Sequence, residues 1–489
     1  MYLYYVTKKK LIIENSELKT EVSELKKERE RLLKLIFGAK SERFVSETHP
    51  EQLSLFADEE DLQEEQDEET IEVSYERKKN GKKHPGRNVI PEHLPVEEVV
   101  IEPEEDVSGM KRIGEEITET LKYTPASLIK IRTIRPKYAR PNGNGVVIGE
   151  LPSRPIPKSY AESSLLSHMF VSKFIDHLPF YRQRQMFKRD FEWELASSTI
   201  NDWFVSCCTL LEPLYQKLIQ KILGCNYIQA DESTLSVLDK DKKGGTHLGY
   251  QWVYHSPELG YVYFHYRKGR GQNGPKEILG NYEGYLQCDG YKVYDKIARG
   301  KPITLLGCMA HLRRKFHESL DTDMVRAKFA LELIQKIYAI ERKMKEDNLS
   351  IEARTQVRET KSKVLMQELK EWMDEAYPKV LPKSKIGKAI KYGLLQWKKL
   401  IVFTTDQKLY IDNNLTENSI RPLALGRKNF LFAGSHKGAE RIGMMYSFFA
   451  TCKKQNINPR IWLEQTLDKI AEHPINRIQE LLPGYNGDV

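Results

Sequence analysis

The stretch YIQADESTLSVL, residues Tyr227–Leu238, alternates apolar and polar residues in the way that is typical of a β-strand. Its apolar side chains are Ile228, Ala230, Leu235 and Val237. Within this strand pattern Asp231 directly follows an apolar run, where an ionised carboxylate costs free energy unless it is paired or bound to a metal. The stretch therefore predicts a sheet strand that also carries a candidate functional residue.

Working outward, four more runs of β-type residues follow within the next 70 or so positions. These are residues 250–254, 261–266, 284–289 and 303–308. The sequence SPELG at 256–260 is a hairpin signal, and residues 275–279 are typical of a short helix. The region 226–310 is therefore expected to form five strands, arranged mostly as a meander, with helices following it.

The flanking regions are helical in pattern. Residues 311–400 place apolar side chains at helical spacing, as at Leu331, Ile334 and Ile337. Upstream, residues 161–222 contain FYRQR (180–184) leading into LASSTINDW (195–203), which has a Ser/Thr cap before an apolar helix. This pattern fits a DNA-reading helix-turn-helix and equally fits two ordinary packed helices.

The N-terminal region repeats leucine every seven residues, at Leu11, Leu18, Leu25 and Leu32. This spacing predicts a short parallel coiled coil, with Asn15 as a register-setting polar residue, or else one amphipathic helix packed on its own protein. An acidic segment, 51–76, then holds 12 acidic residues and no Lys or Arg, and a basic run follows it. Adjacent blocks of opposite charge are typical of a disordered linker.

The predicted organisation is a multidomain α/β chain of six parts. They are a coiled coil at 1–43, a linker at 44–90, a small β-rich module at 91–160, a helix-turn-helix-like region at 161–222, an α/β domain at 223–445 with a helical insertion at about 318–400, and a helical tail at 446–489.

Composition narrows the functional class. The chain has 489 residues, 40% of them hydrophobic, but no apolar run approaches the ~18–20 residues of a membrane helix, and the N-terminus lacks the features of a signal peptide.

Six cysteines occur without a C-x-x-C pair, so we expect a reducing, cytoplasmic location and no cysteine zinc site. Net charge is +8, and setting aside the 12 acidic residues of 51–76 leaves +20, which favours a polyanionic partner such as nucleic acid.

Three acidic residues suggest chemistry by their positions. Asp231 and Asp289 lie on predicted strands, and Glu417 lies just inside a predicted helix. Carboxylate oxygens from these elements could converge on divalent metal ions that act on a phosphodiester. Spacing alone leaves alternatives open: Glu232 could replace Asp231, Asp412 could replace Glu417, and Asp289-Gly290 is also a common turn.

Basic residues accompany these acids. They are Arg313, Arg314 and Lys315 after the last strand, and Arg421, Arg427 and Lys428 after Glu417. Arginine and lysine beside a metal–carboxylate centre suit contacts to nucleic-acid phosphates. Some of them could instead simply pair with the acids.

Several long motifs resemble the insertion sequence 66 family of transposases. The most specific is IDNNLTENSIRPLALGRKNFLFAGS at 411–435. In chain order the others are LIFGAKSER (35–43), RPKYARP (135–141), RPIPKSYA (154–161), ADESTLSVL (230–238), GYLQCDGY (284–291), GCMAHLRRKF (307–316), YSFFATCKKQNINP (446–459) and HPINRIQELLP (473–483). The resemblance therefore covers nearly the whole chain.

The resemblance implies an RNase H-like catalytic core with a helical insertion and the acidic triad Asp231, Asp289 and Glu417. It implies two Mg²⁺ ions, for which Mn²⁺ can substitute, and small accessory proteins encoded by the same element. Family members often carry a cysteine zinc module ahead of the helix-turn-helix, but here no cysteine stands near 106–109 or 139–142. We therefore expect a zinc-free module at that place.

Together these features predict a bacterial, cytoplasmic DNA transposase, associated with the nucleoid when bound to DNA. Its partners would be the double-stranded DNA of the element ends and of the target, and a second copy of the chain through residues 8–36. No membrane partner is expected. The alternative is a catalytically silent, DNA-binding transposase relic that acts as a repressor or scaffold.

Overall fold

The computed structural model describes residues 127–139, 146–148, 153–239, 241 and 245–487. The predicted coiled coil of 1–43 and linker of 44–90 lie outside the described residues, as does most of the predicted module at 91–160. Two short antiparallel strands are described within that module, β1 (Lys137–Ala139) and β2 (Val146–Ile148).

Three helices precede the main sheet: α1 (Ser163–Phe174), α2 (Phe180–Phe191) and α3 (Ser197–Leu223). The long helix α3 buries one face, because its apolar residues recur three and four apart from Ile200 to Ile222. Its Tyr215 ring stacks on Tyr263 of the sheet, with ring centroids 4.4 Å apart, so this face packs directly against the strands.

The main sheet has five strands: β3 (Tyr227–Leu238), β4 (Thr246–Ser256), β5 (Tyr261–Arg267), β6 (Gly284–Gln287) and β7 (Ile303–Leu306). They lie in the order β5-β4-β3-β6-β7.

Pairing in this sheet is mixed. Strands β3, β4 and β5 form the predicted antiparallel meander, with Gly260 at a φ of 63° in the turn between β4 and β5. Strands β6 and β7 instead run parallel to β3, so the meander prediction is wrong for them. The reason is that helices α4 (Asn273–Leu279) and α5 (Lys292–Ala298) return the chain across the sheet before each of these strands begins.

A helical region follows the sheet, as the sequence predicts. Its helices are α6 (Met309–His317), α7 (Met324–Glu346), α8 (Ile351–Val357), α9 (Lys363–Ala376) and α10 (Lys385–Leu400), with a π-helical turn at Arg358–Ser362. These helices enclose a second hydrophobic core, distinct from the core between the sheet and α3.

The C-terminal helices are α11 (Asn414–Phe430), α12 (His436–Lys454) and α13 (Pro459–Lys469), followed by a 3₁₀ segment at Ile475–Leu481. Helix α12 covers the edge strand β5: the Ser447 hydroxyl accepts a hydrogen bond from the Phe264 backbone N–H at 2.8 Å, and the Thr451 hydroxyl accepts one from Val262 at 3.0 Å. Edge-strand amides that would otherwise be unpaired are thereby satisfied.

None of the described helices is long and apolar enough to cross a bilayer.

Arg358 joins the helical region to the segment that leads into α11. Its guanidinium forms a two-point ion pair with Glu341 at 2.9 and 2.6 Å and donates to the backbone carbonyls of Phe403, Asp406 and Leu409 at 2.7–2.9 Å. Its side chain is only 5% exposed. Removing one partner of such a pair leaves a buried charge without compensation.

We expect Arg358→Ala to lower the free energy of unfolding by about 3–5 kcal/mol, because Glu341 and three carbonyls lose their donor. Lys363→Ala removes an exposed pair with Glu359 and should cost less than about 1 kcal/mol. Urea denaturation of both variants measures the difference. Equal losses in the two variants would show that Arg358 does not hold the segment in place.

Candidate active site

Two of the predicted acidic residues come from adjacent strands: Asp231 lies on β3, and Asp289 lies two residues past the end of β6. In the parallel β3–β6 pair, Gln229 is in register with Gln287. Asp231 and Asp289 each lie two residues further along the chain, and side chains two apart on a strand share a face. The register therefore brings both carboxylates to one end of the β6 strand, on the same face as the two glutamines.

The glutamine pair is the centre of a buried hydrogen-bond network. Gln229 Nε2 donates to Gln287 Oε1 at 2.7 Å and to the Asp412 backbone carbonyl at 3.1 Å. Gln287 Nε2 donates to the Tyr410 carbonyl at 2.8 Å, and the Thr416 hydroxyl donates to Gln229 Oε1 at 3.1 Å. The network thus fixes the segment 410–416 against the sheet, directly before Glu417.

Glu417 lies in the first turn of α11, where a carboxylate interacts favourably with the helix dipole. Its side chain is 12% exposed, and its Oε1 atom is buried without a hydrogen-bond partner. A buried carboxylate oxygen in that state is suited to receive a ligand.

Backbone amides orient the two aspartates. The N–H of Glu232 donates to Asp231 Oδ1 at 2.8 Å, and the N–H of Tyr291 donates to Asp289 Oδ1 at 2.9 Å. Each carboxylate is therefore held by the chain that immediately follows it, which fixes its direction before any ligand arrives.

The acidic side chains also repel one another. Burial raises the pKa of Asp231 well above its ordinary value, and the negative charges of Glu232, Glu417 and Asp289 raise it further. Burial likewise raises the pKa of Glu417, while the Arg314 charge opposes that rise. This mutual effect means that the three predicted acids occupy one site.

The two alternative acids have partners of their own. Glu232 accepts from Arg270 at 2.7 and 2.6 Å, and the Arg270 guanidinium lies 4.3 Å from the centre of the Tyr291 ring. Asp412 accepts from the Tyr338 hydroxyl at 2.7 Å and from the Asn414 side chain at 2.9 Å. Asp412 is thereby committed to contacts within the protein, whereas Glu232 uses only its Oε1 atom and leaves Oε2 buried without a hydrogen-bond partner.

The predicted basic residues separate into groups. Arg314 Nη2 lies 4.0 Å from Glu417 Oε2, and the charge of Arg421 lowers the pKa of Glu417, so both border the acids. Lys315 lies over the Tyr392 ring at 5.0 Å. Arg427 is not brought to the acids, because its guanidinium donates to the Thr234 carbonyl and hydroxyl, both at 2.6 Å.

Of the remaining two basic residues, Lys428 is exposed at the end of α11. Arg313 lies one residue before Arg314 on α6 and is half-buried, with its charge acting on Tyr338. Arg313 therefore faces the helical region at least in part.

Three residues of the site were not singled out by the sequence: Arg270, Cys308 and His311. His311 Nδ1 lies 3.9 Å from Glu417 Oε1, and burial lowers the pKa of His311 to about 4. Cys308 directly precedes α6 as its N-cap residue. Cys308 and His311 belong to the run GCMAHLRRKF at 307–316, in which only the basic residues predicted a role.

Carboxylates on a mixed sheet, bordered by arginines, are typical of enzymes that process nucleic acids. The chain belongs to the Transposase IS66 family, whose sequence model matches residues 158–441. Models described as the IS66 C-terminal element and as Transposase C of IS166 homeodomain match residues 447–483 and 24–99.

Relatives of similar length exist in Sinorhizobium fredii. The protein y4jD is 32% identical over 502 residues, covering 96% of this chain and 95% of its own length. The protein y4hP is 31% identical over 432 residues, covering 82% of this chain and 77% of its own. Both are described as uncharacterized proteins, so they support the family and add nothing on activity.

A fourth model, described as the zinc-finger binding domain of transposase IS66, matches residues 105–139. The match stands against the expectation that no zinc binds. That segment, however, contains neither cysteine nor histidine, so it lacks the sulfur and nitrogen ligands of a structural zinc site.

The raised pKa of Asp231 gives a pH-dependent prediction for the metal-free protein. Folding favours the protonated form of this group, so its stabilising effect is complete at low pH and is lost as pH rises through the raised folded-state pKa. Asp231→Asn removes the charge and should therefore raise the free energy of unfolding at about pH 8, where the carboxyl group is ionised in the unfolded chain. The gain should shrink at about pH 4.

Denaturation with a chelator present, at both pH values, measures this effect. Added Mg²⁺ should stabilise the wild type and not the variant, because ligand binding to the folded state shifts unfolding. A variant less stable than wild type at the higher pH would contradict the repulsion argument.

Proposed function

We propose that this protein is a DNA transposase that binds the terminal inverted repeats of an insertion sequence and catalyses Mg²⁺-dependent strand cleavage and strand transfer. The observation that carries the proposal is the meeting of Asp231, Asp289 and Glu417, from β3, the end of β6 and α11, within the segment matched by the family model.

The strand arrangement supports an RNase H-like core for this activity. Three antiparallel strands and two parallel ones lie in the order β5-β4-β3-β6-β7. The acids lie on the central strand β3, two residues past the end of its neighbour β6, and on a later helix. Helices α7 to α10 would be the helical insertion between the second and third acids.

The donor set fits hard divalent cations. Asp231, Asp289 and Glu417 offer carboxylate oxygens, which Mg²⁺ and Mn²⁺ prefer, and the orphaned Glu417 Oε1 is where a ligand is missing. These three residues would hold two such ions. When bound, the ions would supply charge neutralisation for the attacking and leaving oxygens of a phosphodiester.

The protein's own residues would then act by positioning. The backbone amides of Glu232 and Tyr291 would hold the aspartates in a fixed direction, and the charge of Arg314, 4.0 Å from Glu417 Oε2, opposes the rise in the pKa of Glu417. Arg314, Arg421 and their neighbours on α6 would contact DNA phosphates beside the acids. Such a preorganised site needs no covalent intermediate with the enzyme.

The partners remain proposals of the same kind. Double-stranded DNA of the element ends and the target would be the substrate, and small accessory proteins would assist. Residues 8–36 would pair two copies of the chain, because both element ends must be held together. Such a protein would work in the bacterial cytoplasm, at the nucleoid when bound to DNA.

We expect Glu417→Gln to reduce strand transfer by at least ~100-fold, because the amide is a poorer metal ligand and lacks the charge. Binding to element ends should stay within about twofold, since the residue lies in the catalytic cluster and does not read DNA. The assay uses purified protein, Mg²⁺ and DNA carrying the element's own ends, with accessory proteins supplied. The exposed Glu375→Gln on α9 is the matched control and should be fully active.

Strand transfer by Glu417→Gln at the wild-type rate would overturn the triad. End binding by the wild type with no cleavage, even with accessory proteins, would instead favour the silent relic that represses or scaffolds. Asp289→Asn should show a similar loss in the same assay, because Asp289 belongs to the same cluster.

Lys428 tests the DNA surface. It is exposed on the helix that carries Glu417, so a phosphate contact there would release about one counterion. We expect Lys428→Ala to reduce the slope of log affinity against log salt by about 0.9, uniformly across DNA sequences. Lys370→Ala, which removes a lysine paired with Asp374, should leave the slope unchanged. An unchanged slope in Lys428→Ala would place the DNA elsewhere.

A further inference from the structure

A second set of metal ligands overlaps the carboxylate cluster. Among the described residues, the donor atoms of Cys308, His311 and Glu417 lie within 4.8 Å of one another. Cys308 precedes α6, and His311 lies in the first turn of that helix. Glu417 reaches the same point from the first turn of α11.

Two of these three donor atoms lack a partner. His311 Nδ1 and Glu417 Oε1 are both buried without a hydrogen bond, although they are only 3.9 Å apart. Buried polar atoms in folded proteins nearly always have hydrogen-bond partners. Two unpartnered atoms this close together, His311 Nδ1 and Glu417 Oε1, therefore indicate a place for a ligand that bridges them.

The third donor, the Cys308 sulfur, lies at the N-terminus of α6 and receives hydrogen bonds from the backbone N–H groups of His311 and Asn413. Burial and the negative charges of Asp412 and Glu417 nevertheless raise the pKa of the thiol well above its ordinary value. Cys308 is therefore a thiol in the metal-free protein, and a metal must displace its proton to bind. Cys308 is fully buried, so a ligand must enter past His311 and Glu417, whose side chains are 22% and 12% exposed.

This donor set selects a different metal from the carboxylates alone. Thiolate, imidazole and carboxylate together suit Zn²⁺, whereas Mg²⁺ avoids sulfur. In a tetrahedral zinc site, neighbouring donor atoms would be about 3.4–3.6 Å apart. The separations of up to 4.8 Å would therefore have to shorten by roughly 1 Å, within reach of a rotation of the Glu417 side chain.

We propose that Cys308, His311 and Glu417 form an inhibitory zinc site. Zinc binding displaces the thiol proton to solvent, and the fourth position is taken by water. Because the Glu417 side chain must rotate toward Cys308 and His311 to complete this ligand set, Zn²⁺ draws it away from the magnesium cluster. The inhibition rests on the proposed function, whereas zinc binding itself does not.

Cobalt tests the binding, because Co²⁺ replaces Zn²⁺ and gives an absorption band when a thiolate is coordinated. We expect the full-length, metal-free protein to show this band and to lose it when Zn²⁺ is added. Cys308→Ser should abolish the band. Cys225→Ser, at a half-buried cysteine bonded to Lys221 and Ser256, should retain it.

Two results would overturn the site: no band in the wild type, or a band that survives in Cys308→Ser. Should Cys308→Ser fail to fold, as shown by circular dichroism, Glu417→Gln keeps the thiol and should weaken zinc binding by at least ~10-fold. Unchanged affinity in that variant would equally overturn the site.

Competition is measured without activity, through the electron paramagnetic resonance signal of protein-bound Mn²⁺. We expect Zn²⁺ to displace Mn²⁺ from the wild type and from Cys225→Ser, and to do so at least ~10-fold less effectively in Cys308→Ser. Simultaneous binding of both metals would overturn the inhibition. A wild type that binds Zn²⁺ with the cobalt signature but no Mn²⁺ at all would contradict the proposed function and leave the zinc site supported.

Discussion

The buried amides of Gln229 and Gln287 are the constraint on which the site depends. Both side chains are completely buried in the sheet, and an unsatisfied buried polar group costs about 1–3 kcal/mol. They meet this demand by bonding to each other and to the backbone of 410–412. The parallel register that pairs them also aligns Asp231 with Asp289, and the segment they hold begins the helix of Glu417. One polar network therefore positions all three acids.

The same arrangement places mutually repelling charges at low exposure. Burial and neighbouring carboxylates raise the pKa values of Asp231, Glu232 and Glu417 together. Only Glu232 has a close two-point cationic partner, in Arg270. The metal-free fold therefore carries a local destabilisation that the two hydrophobic cores must offset. Such a conflict between stability and local charge is typical of functional sites.

The sequence predicts the positions of the strands well, because alternation and turn residues are local signals. The direction of β6 and β7 depends on where the intervening helices cross the sheet, which no local pattern contains.

Spacing also leaves Glu417 and Asp412 equivalent, and only the family resemblance favours Glu417. The Asp412 carboxylate accepts a hydrogen bond from the Tyr338 hydroxyl, which belongs to a distant helix. Because this contact forms only in the folded chain, a local sequence pattern does not predict it. No local pattern connects Cys308 and His311 with Glu417, because Glu417 lies far along the chain from the other two.

The helical region between the sheet and α11 contributes to the site through the segment that it holds. Arg358, in the π-helical turn, donates to backbone carbonyls of residues 403–409, and Tyr338 of α7 donates to Asp412. Two helical elements therefore hold the segment just before Glu417 through hydrogen bonds. On the sheet side, Gln229 and Gln287 donate hydrogen bonds to backbone carbonyls of the same segment. Because a segment held from both sides cannot shift without breaking buried hydrogen bonds, the third acid keeps its place although it is far in sequence from the other two. The helical region therefore helps to fix the position of Glu417 and does not form an independent unit.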